Sequence, residues 1–262
     1  MLELPQNIPH TQIGESTLIN ADCFDVFPHI EDQSVDAIIC DLPYGVTAMK
    51  WDSILPIDKL WKEYERIIKP NGAIVLFCQQ PFTSLIISSN IKNFRWCYTW
   101  VKNLKTNFLQ AKYMPMRSYE NIAVFGLNRP NYYPQMKQTQ WSTPGSESKT
   151  DQYKTKRTKQ TVRNGECLPD DVLNFKCIHG RQQRFHKNQK PDELMEFLVK
   201  TFTNEGDLVL DNTMGSGTTN LACSKLNRKS IGIEKEQKYY EISVKRIEDA
   251  LNELSSKPKG LF

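Results

Sequence analysis

Two stretches of the chain place reactive residue types where they could act together. The first, Asp41-Leu42-Pro43-Tyr44, follows the strand-like run Val35 to Cys40 with an acid, a proline and an aromatic ring. Proline fixes its own backbone and biases Leu42 toward an extended shape. The Asp41 carboxylate and the Leu42 carbonyl are then two neighbouring acceptors, with the Tyr44 ring as a flat platform beside them. Two acceptors and a platform suit a planar amine. The lone pair of an exocyclic amine on a heteroaromatic ring is spread into that ring, which makes it a poor nucleophile. Holding its hydrogens between two acceptors favours the pyramidal form, whose lone pair can attack an electrophile in line.

The second stretch is "LVLDNTMGSGTTNLACSKL", Leu208 to Leu226. Gly215 and Gly217, with Ser216 and Thr218 beside them, follow a strand-like run and open a helical one. Backbone N–H groups can approach a ligand there, where side chains would block it. Glu234 ends the next strand, a place from which an acid commonly accepts hydrogen bonds from a ribose. A dinucleotide oxidoreductase uses the same turn, but its third glycine would fall at Asn220. Asp211 would also set a negative charge near any phosphate, whereas it could pair with an ammonium group. The ligand expected is therefore an adenosine that carries an amino-acid group, S-adenosylmethionine.

Both stretches need a frame that brings them to one crevice. Leu18 to Asn20 and Val35 to Cys40 read as short buried strands, with a helical turn from Cys23 to Ile30 between them. Trp61 to Ile68 reads as an amphipathic helix stopped by Lys69-Pro70-Asn71-Gly72, followed by the strand Ala73 to Cys78. Trp96 to Val101 and Asn121 to Phe125 suggest a hairpin near the sheet edge. A helix from Lys190 to Phe202, strands at Leu208 to Leu210 and Ser230 to Glu234, and a last helix from Lys238 to Leu254 complete the pattern. Alternating helices and apolar strands predict a doubly wound α/β fold with a mostly parallel sheet, in which ligands bind beyond the carboxyl ends of the strands.

Composition narrows the reading further. At 262 residues and 39% hydrophobic side chains, one large domain with a smaller appended region is expected. The longest uninterrupted apolar run, Ala73 to Cys78, is far too short for a membrane span, and no basic-then-apolar leader pattern opens the chain. A soluble, cytoplasmic protein without membrane partners is the expectation. The seven cysteines are an odd number without a C-x-x-C pair, and Cys167, Cys177, His179 and His186 match no common zinc spacing, so no metal is expected. Net charge is only +4, but its distribution is uneven. From about Leu127 to Arg184 the periodicity fails. Between Arg129 and Arg163, the bases Arg129, Lys137, Lys149, Lys154, Lys156, Arg157, Lys159 and Arg163 stand against only Glu147 and Asp151, with Tyr132, Tyr133, Trp141 and Tyr153 interleaved.

With both motifs in view, the chain resembles the DNA amino-methyltransferases. Their hallmark, (Asp/Asn/Ser)-Pro-Pro-(Tyr/Phe/Trp), is similar to Asp41 to Tyr44. Their cofactor motif, Asp-Pro-Phe-x-Gly-Ser-Gly-Thr, is similar to Asp211 to Thr218, and their His-Pro-x-Gln-Lys-Pro segment to His186 to Pro191. The departures are Leu42, Asn212 with Thr213, and Lys187. The order of the motifs resembles the permuted β subgroup. The resemblance implies a circularly permuted methyltransferase fold, with a catalytic half over 1–126, a target-recognition region over 127–185 and a cofactor-binding half over 186–262. It implies catalytic roles for Asp41, Leu42, Pro43 and Tyr44. Cofactor contacts are implied for Asp22, Asp211, Gly215, Ser216, Gly217, Thr218, Glu234, His186 and Lys190.

Reaching an amine inside a duplex requires flipping the base, at a cost of roughly a few kcal/mol that DNA contacts must offset. Lys154, Lys156, Arg157 and Lys159 are the candidate DNA-binding residues. Double-stranded DNA is the expected partner, and a homodimer and a cognate restriction endonuclease stay open. Cytosine C5 chemistry is set aside because no cysteine follows a proline. Aspartate at the first hallmark position points to N6 of adenine, with N4 of cytosine, an RNA base or a protein amide as alternatives. A catalytically silent DNA-binding protein would not need the intact acids and glycines.

Overall fold

The computed structural model describes residues 2–45, 53–138, 165–178 and 189–256. The chain divides into a large unit, Met1–Tyr133 with Asp171–Phe262, and a small one, Pro134–Asp170. The large unit opens with β1 (His10–Ile13) and β2 (Ser16–Asn20), then α1 (Cys23–Val26) and a 3-10 turn at Phe27–His29. β3 (Val35–Cys40) is buried along its whole length. α2 (Ile57–Ile67) starts ahead of the expected Trp61, because Pro56 and Asp58 form its first turn. It ends at Ile67, and β4 (Ile68–Cys78) begins at once. The Lys69-Pro70-Asn71-Gly72 segment is therefore not the helix stop expected of it. The β3–β4 register jumps from Val35 opposite Ile68 to Ala37 opposite Ala73, so the segment bulges out of a strand already begun.

α3 (Phe82–Ser89) leads to a hairpin of β5 (Phe94–Thr106) and β6 (Arg117–Phe125), both longer than the apolar runs that signalled them. In the small unit, β7 (Lys137–Gln138) pairs antiparallel with β8 (Glu166–Cys167), and Lys137 Nζ lies 2.7 Å from Asp170. β9 (Val172–Asn174) returns to the main sheet inside a stretch whose sequence reads as irregular. The chain ends with α4 (Asp192–Phe202), β10 (Leu208–Asp211), α5 (Thr218–Lys225), β11 (Lys229–Glu234) and α6 (Gln237–Ser256).

The main sheet has nine strands in the order β1-β2-β11-β10-β3-β4-β6-β5-β9. From β2 to β4 every pairing is parallel, while β1 and the β5–β6 hairpin add antiparallel neighbours at the flanks. Alternation along β3 explains why both faces are covered. Ile38 and Cys40 pack among the residues of α1, α2 and α3, while Ala37 and Ile39 pack against α4 and α5. A strand buried on both sides has no reason to alternate apolar with polar, which is why β3 and β4 read as continuous apolar runs. β3 continues through α2 to β4, and β10 continues through α5 to β11 on its other side. The sheet order thus reverses between β3 and β10, and a crevice opens at their carboxyl ends.

Candidate active site

That crevice is a cavity of about 620 Å³, within the range of small-molecule sites, and Asp22, Asp41, Tyr44, Asp211, Gly215 and Glu234 all line it. Leu42, Pro43, Ser216, Thr218 and Lys190 line it as well. The topology accounts for this gathering, since Asp41 follows β3, Asp211 ends β10, and Glu234 ends β11 opposite Asn20 on β2. Gly217 stands behind the loop. Its φ is +73°, and a Cβ there would lie 2.8 Å from Ser243 Cβ, so glycine lets α6 close against the turn. At Gly215 a Cβ would meet nothing within 4 Å, which leaves room for a ligand against bare backbone.

Three acids frame the glycine turn, each already engaged. Glu234 accepts from the Gly215 amide at 2.9 Å and the Glu236 amide at 2.8 Å, and burial raises its pKa against those two bonds. Asp211 accepts from the Thr219 hydroxyl at 2.6 Å and the Thr213 amide at 3.1 Å. Burial pushes its carboxyl up to about 7; Asp41 and Glu234 add repulsion, and the two hydrogen bonds oppose the rise. Asp22 caps α1 through the Phe24 amide at 3.0 Å and pairs with Lys235 at 3.0 Å. Burial works to raise its carboxyl, yet the Phe24 amide and Lys235 together hold it below the usual carboxylate range.

Across the cavity, Asp41 accepts the Tyr44 hydroxyl at 2.6 Å on one oxygen and the Lys190 ammonium at 2.7 Å on the other. Phe82 backs the Tyr44 ring, with centroids 5.4 Å apart and planes at 28°. Burial, then the Asp41 charge, raises the Tyr44 phenol, so it is neutral and donates. Lys190, grouped by resemblance with the cofactor contacts, directs its ammonium to Asp41 and, at 3.2 Å, to Glu120. Glu120 in turn pairs with Lys102 at 2.8 Å across the hairpin. Burial disfavours the charge on Lys190, but Asp41 and Glu120 overcome it and raise the pKa; the two lysines likewise hold Glu120 low against burial. Lys102, Glu120, Lys190 and Asp41 thus form one chain of alternating bases and acids ending on Asp41.

Sequence reasoning missed Lys102, Glu120 and Thr213. Lys102 and Glu120 sit one position outside the apolar runs Trp96 to Val101 and Asn121 to Phe125, so no local pattern marked them. The Thr213 hydroxyl donates to the Asp41 carbonyl at 3.2 Å, a tie between the two motif loops. Of the expected residues, His186, Lys154, Lys156, Arg157 and Lys159 lie outside the described residues, as does Trp141. Gln138, on β7, donates to Glu166 at 3.2 Å. Among the described residues no group of histidines, cysteines and acids could hold a metal, and no helix is long and apolar enough to cross a membrane.

A doubly wound sheet with an Asp-Leu-Pro-Tyr loop and a glycine turn in one cavity defines a methyltransferase of the S-adenosylmethionine-dependent class. The DNA methylase family model, which covers N6 and N4 enzymes, matches residues 35–245, and the chain belongs to that family. It is therefore a DNA amino-methyltransferase. Among curated proteins it is 26% identical over 254 residues to the type II methyltransferase M.HpaI of Haemophilus parainfluenzae, covering 92% of this chain and 77% of that one. It is 27% identical over 247 residues to M1.MboII of Moraxella bovis, covering 83% and 91%. Among solved structures, the complex of M1.HpyAVI with SAM superposes with a TM-score of 0.58 at 26% identity, over 88% of this chain and 99% of that one. The cytosine-N4-specific PvuII DNA methyltransferase shares the fold, with a TM-score of 0.65 at 15% identity over 91% and 92%.

Proposed function

We propose that the protein transfers a methyl group from S-adenosylmethionine to N6 of a flipped adenine within a specific sequence of double-stranded DNA. The observation that carries this reading is the convergence of Asp41, Leu42 and Tyr44 with the glycine turn in one cavity. The target amine would be held by the Asp41 carboxylate and the Leu42 carbonyl, its ring stacked on Tyr44. Aspartate at the first hallmark position supports adenine over cytosine.

The residues present fit the cofactor. Open space at Gly215, acids at the ends of adjacent strands and a buried carboxyl beside the turn suit an adenosine with an amino-acid tail. Glu234 would take the ribose hydroxyls, Asp22 would lie near the adenine, and Asp211 would face the ammonium. Bound there, the sulfonium supplies an electrophilic methyl group. The protein's part is to orient the amine, exclude water and accept the proton the nitrogen sheds after transfer. Asp41 would receive that proton, and the Lys190–Glu120–Lys102 chain holds its side chain in a fixed position.

The DNA contacts that offset base flipping would come in part from Lys154, Lys156, Arg157 and Lys159. A homodimer, a cognate restriction endonuclease and a cytoplasmic location fit this reading. Incubating plasmid DNA with the protein and labelled S-adenosylmethionine, then hydrolysing it to nucleosides, tests the base directly. Label in N6-methyladenine is expected; label in N4-methylcytosine would overturn the adenine assignment and leave the class intact.

A further inference from the structure

The turn between β5 and β6 carries large apolar side chains in solvent. Phe108 is 71% exposed, Leu109 81% and Tyr113 89%, with Met114 and Met116 exposed beside them. Soluble proteins rarely leave such a contiguous group uncovered unless it meets a partner. The segment is also built. The amides of Gln110 and Ala111 donate to the carbonyls of Asn107 and Phe108, and those of Tyr113 and Met114 both donate to the Gln110 carbonyl, so the backbone holds the side chains out on a bonded frame.

Charge and position say what that partner is. From Val101 to Tyr119 there is no acid, while Lys102, Lys105, Lys112 and Arg117 are bases. Lys102 is taken by Glu120, and Lys105 and Lys112 are exposed. Two copies of this chain meeting at the tip would set those cations against each other. A polyanion would not. The half of β5 that leads into the tip also borders the active site, since Trp100, Lys102, Leu104 and Thr106 line the cavity. A base entering that cavity must leave a gap in its duplex beside the tip.

We propose that the β5–β6 tip is the element that meets the DNA where the base is extruded, with Phe108 and Leu109 filling the vacated stack and Lys105 and Lys112 on the flanking phosphates. The inference rests on the DNA-methylating reading of the cavity. Apolar side chains wedged between base steps are a general device for holding a duplex open.

Two measurements on the full-length protein test it. In the first, Phe108→p-benzoylphenylalanine is irradiated with plasmid duplex DNA. Ile91→p-benzoylphenylalanine, at the opposite end of β5 and 65% exposed, serves as control. Cross-linking at position 108 well above the control is expected; equal yields would overturn the proposal. This arm does not depend on which base is methylated, or on whether any is.

In the second, the double variant Phe108→Ser, Leu109→Ser is assayed on duplex plasmid and on the same DNA denatured to single strands. A loss of about tenfold or more in kcat/KM on duplex, with less than about threefold on single strands and unchanged S-adenosylmethionine affinity, is expected. Equal losses on both substrates would overturn it, as would a change from dimer to monomer in sedimentation with duplex activity retained, which would make the patch a subunit contact.

Discussion

Asp211 should make cofactor affinity depend on pH across a range where the cofactor's own charges are constant. Burial pushes its carboxyl up to about 7 in the free protein. The α-amino group of S-adenosylmethionine, near the ordinary α-amino value of about 8, is almost fully protonated below pH 7, and its carboxylate is ionised. If the ammonium pairs with Asp211, the bound state requires the ionised carboxylate, so binding expels a proton whenever Asp211 starts neutral. Affinity then follows the ionised fraction of the free site. At pH 6 that fraction is about one-tenth against about one-half at pH 7, so binding weakens about fivefold, or roughly 1 kcal/mol, over that interval. The sign for stability agrees. A carboxyl whose folded pKa is raised favours the fold below its ordinary value near 4, and the ligand-free protein loses that contribution as pH rises through about 7.

Titration calorimetry from pH 5.5 to 7, in two buffers of different ionisation enthalpy, reads both affinity and proton release. Close to one proton released at pH 6, falling toward one-half at pH 7, is expected. Glu234 is also raised by burial and would titrate in the same direction, so Asp211→Asn separates the two. The variant should bind more weakly at pH 7 and lose the slope. A slope that survives in Asp211→Asn belongs to Glu234, and proton uptake by the wild type would refute the ammonium pairing.

Other perturbations follow from the same geometry. Asp41→Ala should abolish turnover while calorimetry finds S-adenosylmethionine affinity within about threefold of wild type; its melting temperature should fall only modestly, because Asp41 is part-exposed and Lys190 keeps Glu120 as a partner. Turnover comparable to wild type would remove Asp41 from the transfer. Glu120→Gln leaves Lys102 and Lys190 with one carboxylate between them, so it should lower kcat with little change in KM for DNA, and Glu120→Asp should recover part of the loss. A change confined to melting temperature would assign Glu120 to the fold alone. Replacing Lys154, Lys156, Arg157 and Lys159 with alanine should flatten the dependence of log affinity on log salt by roughly 0.9 per lost phosphate contact, and an unchanged slope would place the DNA elsewhere.

How much of this could be read from the chain depends on whether the signal was local. β3, β4, β10 and β11 were legible because strands covered on both faces must be continuously apolar, and their ends carried the motif residues. β1 was missed because its sequence, His-Thr-Gln-Ile, has one buried side chain, and β9 because three residues in a polar stretch make no pattern. α3 was missed because its isoleucines and serines do not sort cleanly to two faces. The charged chain behind Asp41 joins residues from β5, β6 and the loop before α4, separated by 18 positions in one pair and 149 in another. No spacing rule reaches that far.

The departures from the family motif show the same limit from the other side. Read along the chain, Asn212 and Thr213 in place of Pro-Phe remove an apolar contact and put cofactor affinity in doubt. In the fold, Asn212 borders the cavity but spends its side-chain oxygen on the core behind it. Its carbonyl oxygen accepts the buried Tyr64 hydroxyl at 2.5 Å and the Cys40 thiol at 2.9 Å, while its Nδ2 is buried without a partner among the described residues. Thr213 then uses its hydroxyl to reach the Asp41 carbonyl, 172 positions away. The Tyr64 hydroxyl lies in an otherwise apolar layer and would be costly to bury beneath a Pro-Phe turn without this acceptor. The substitutions therefore belong together as one rearrangement. Thr213→Val tests that claim: it keeps the shape of the side chain but severs the tie between the loops. It should lower kcat more than it lowers cofactor affinity. Equal losses in both would mean that position 213 serves the cofactor alone, as the phenylalanine of the motif is expected to do.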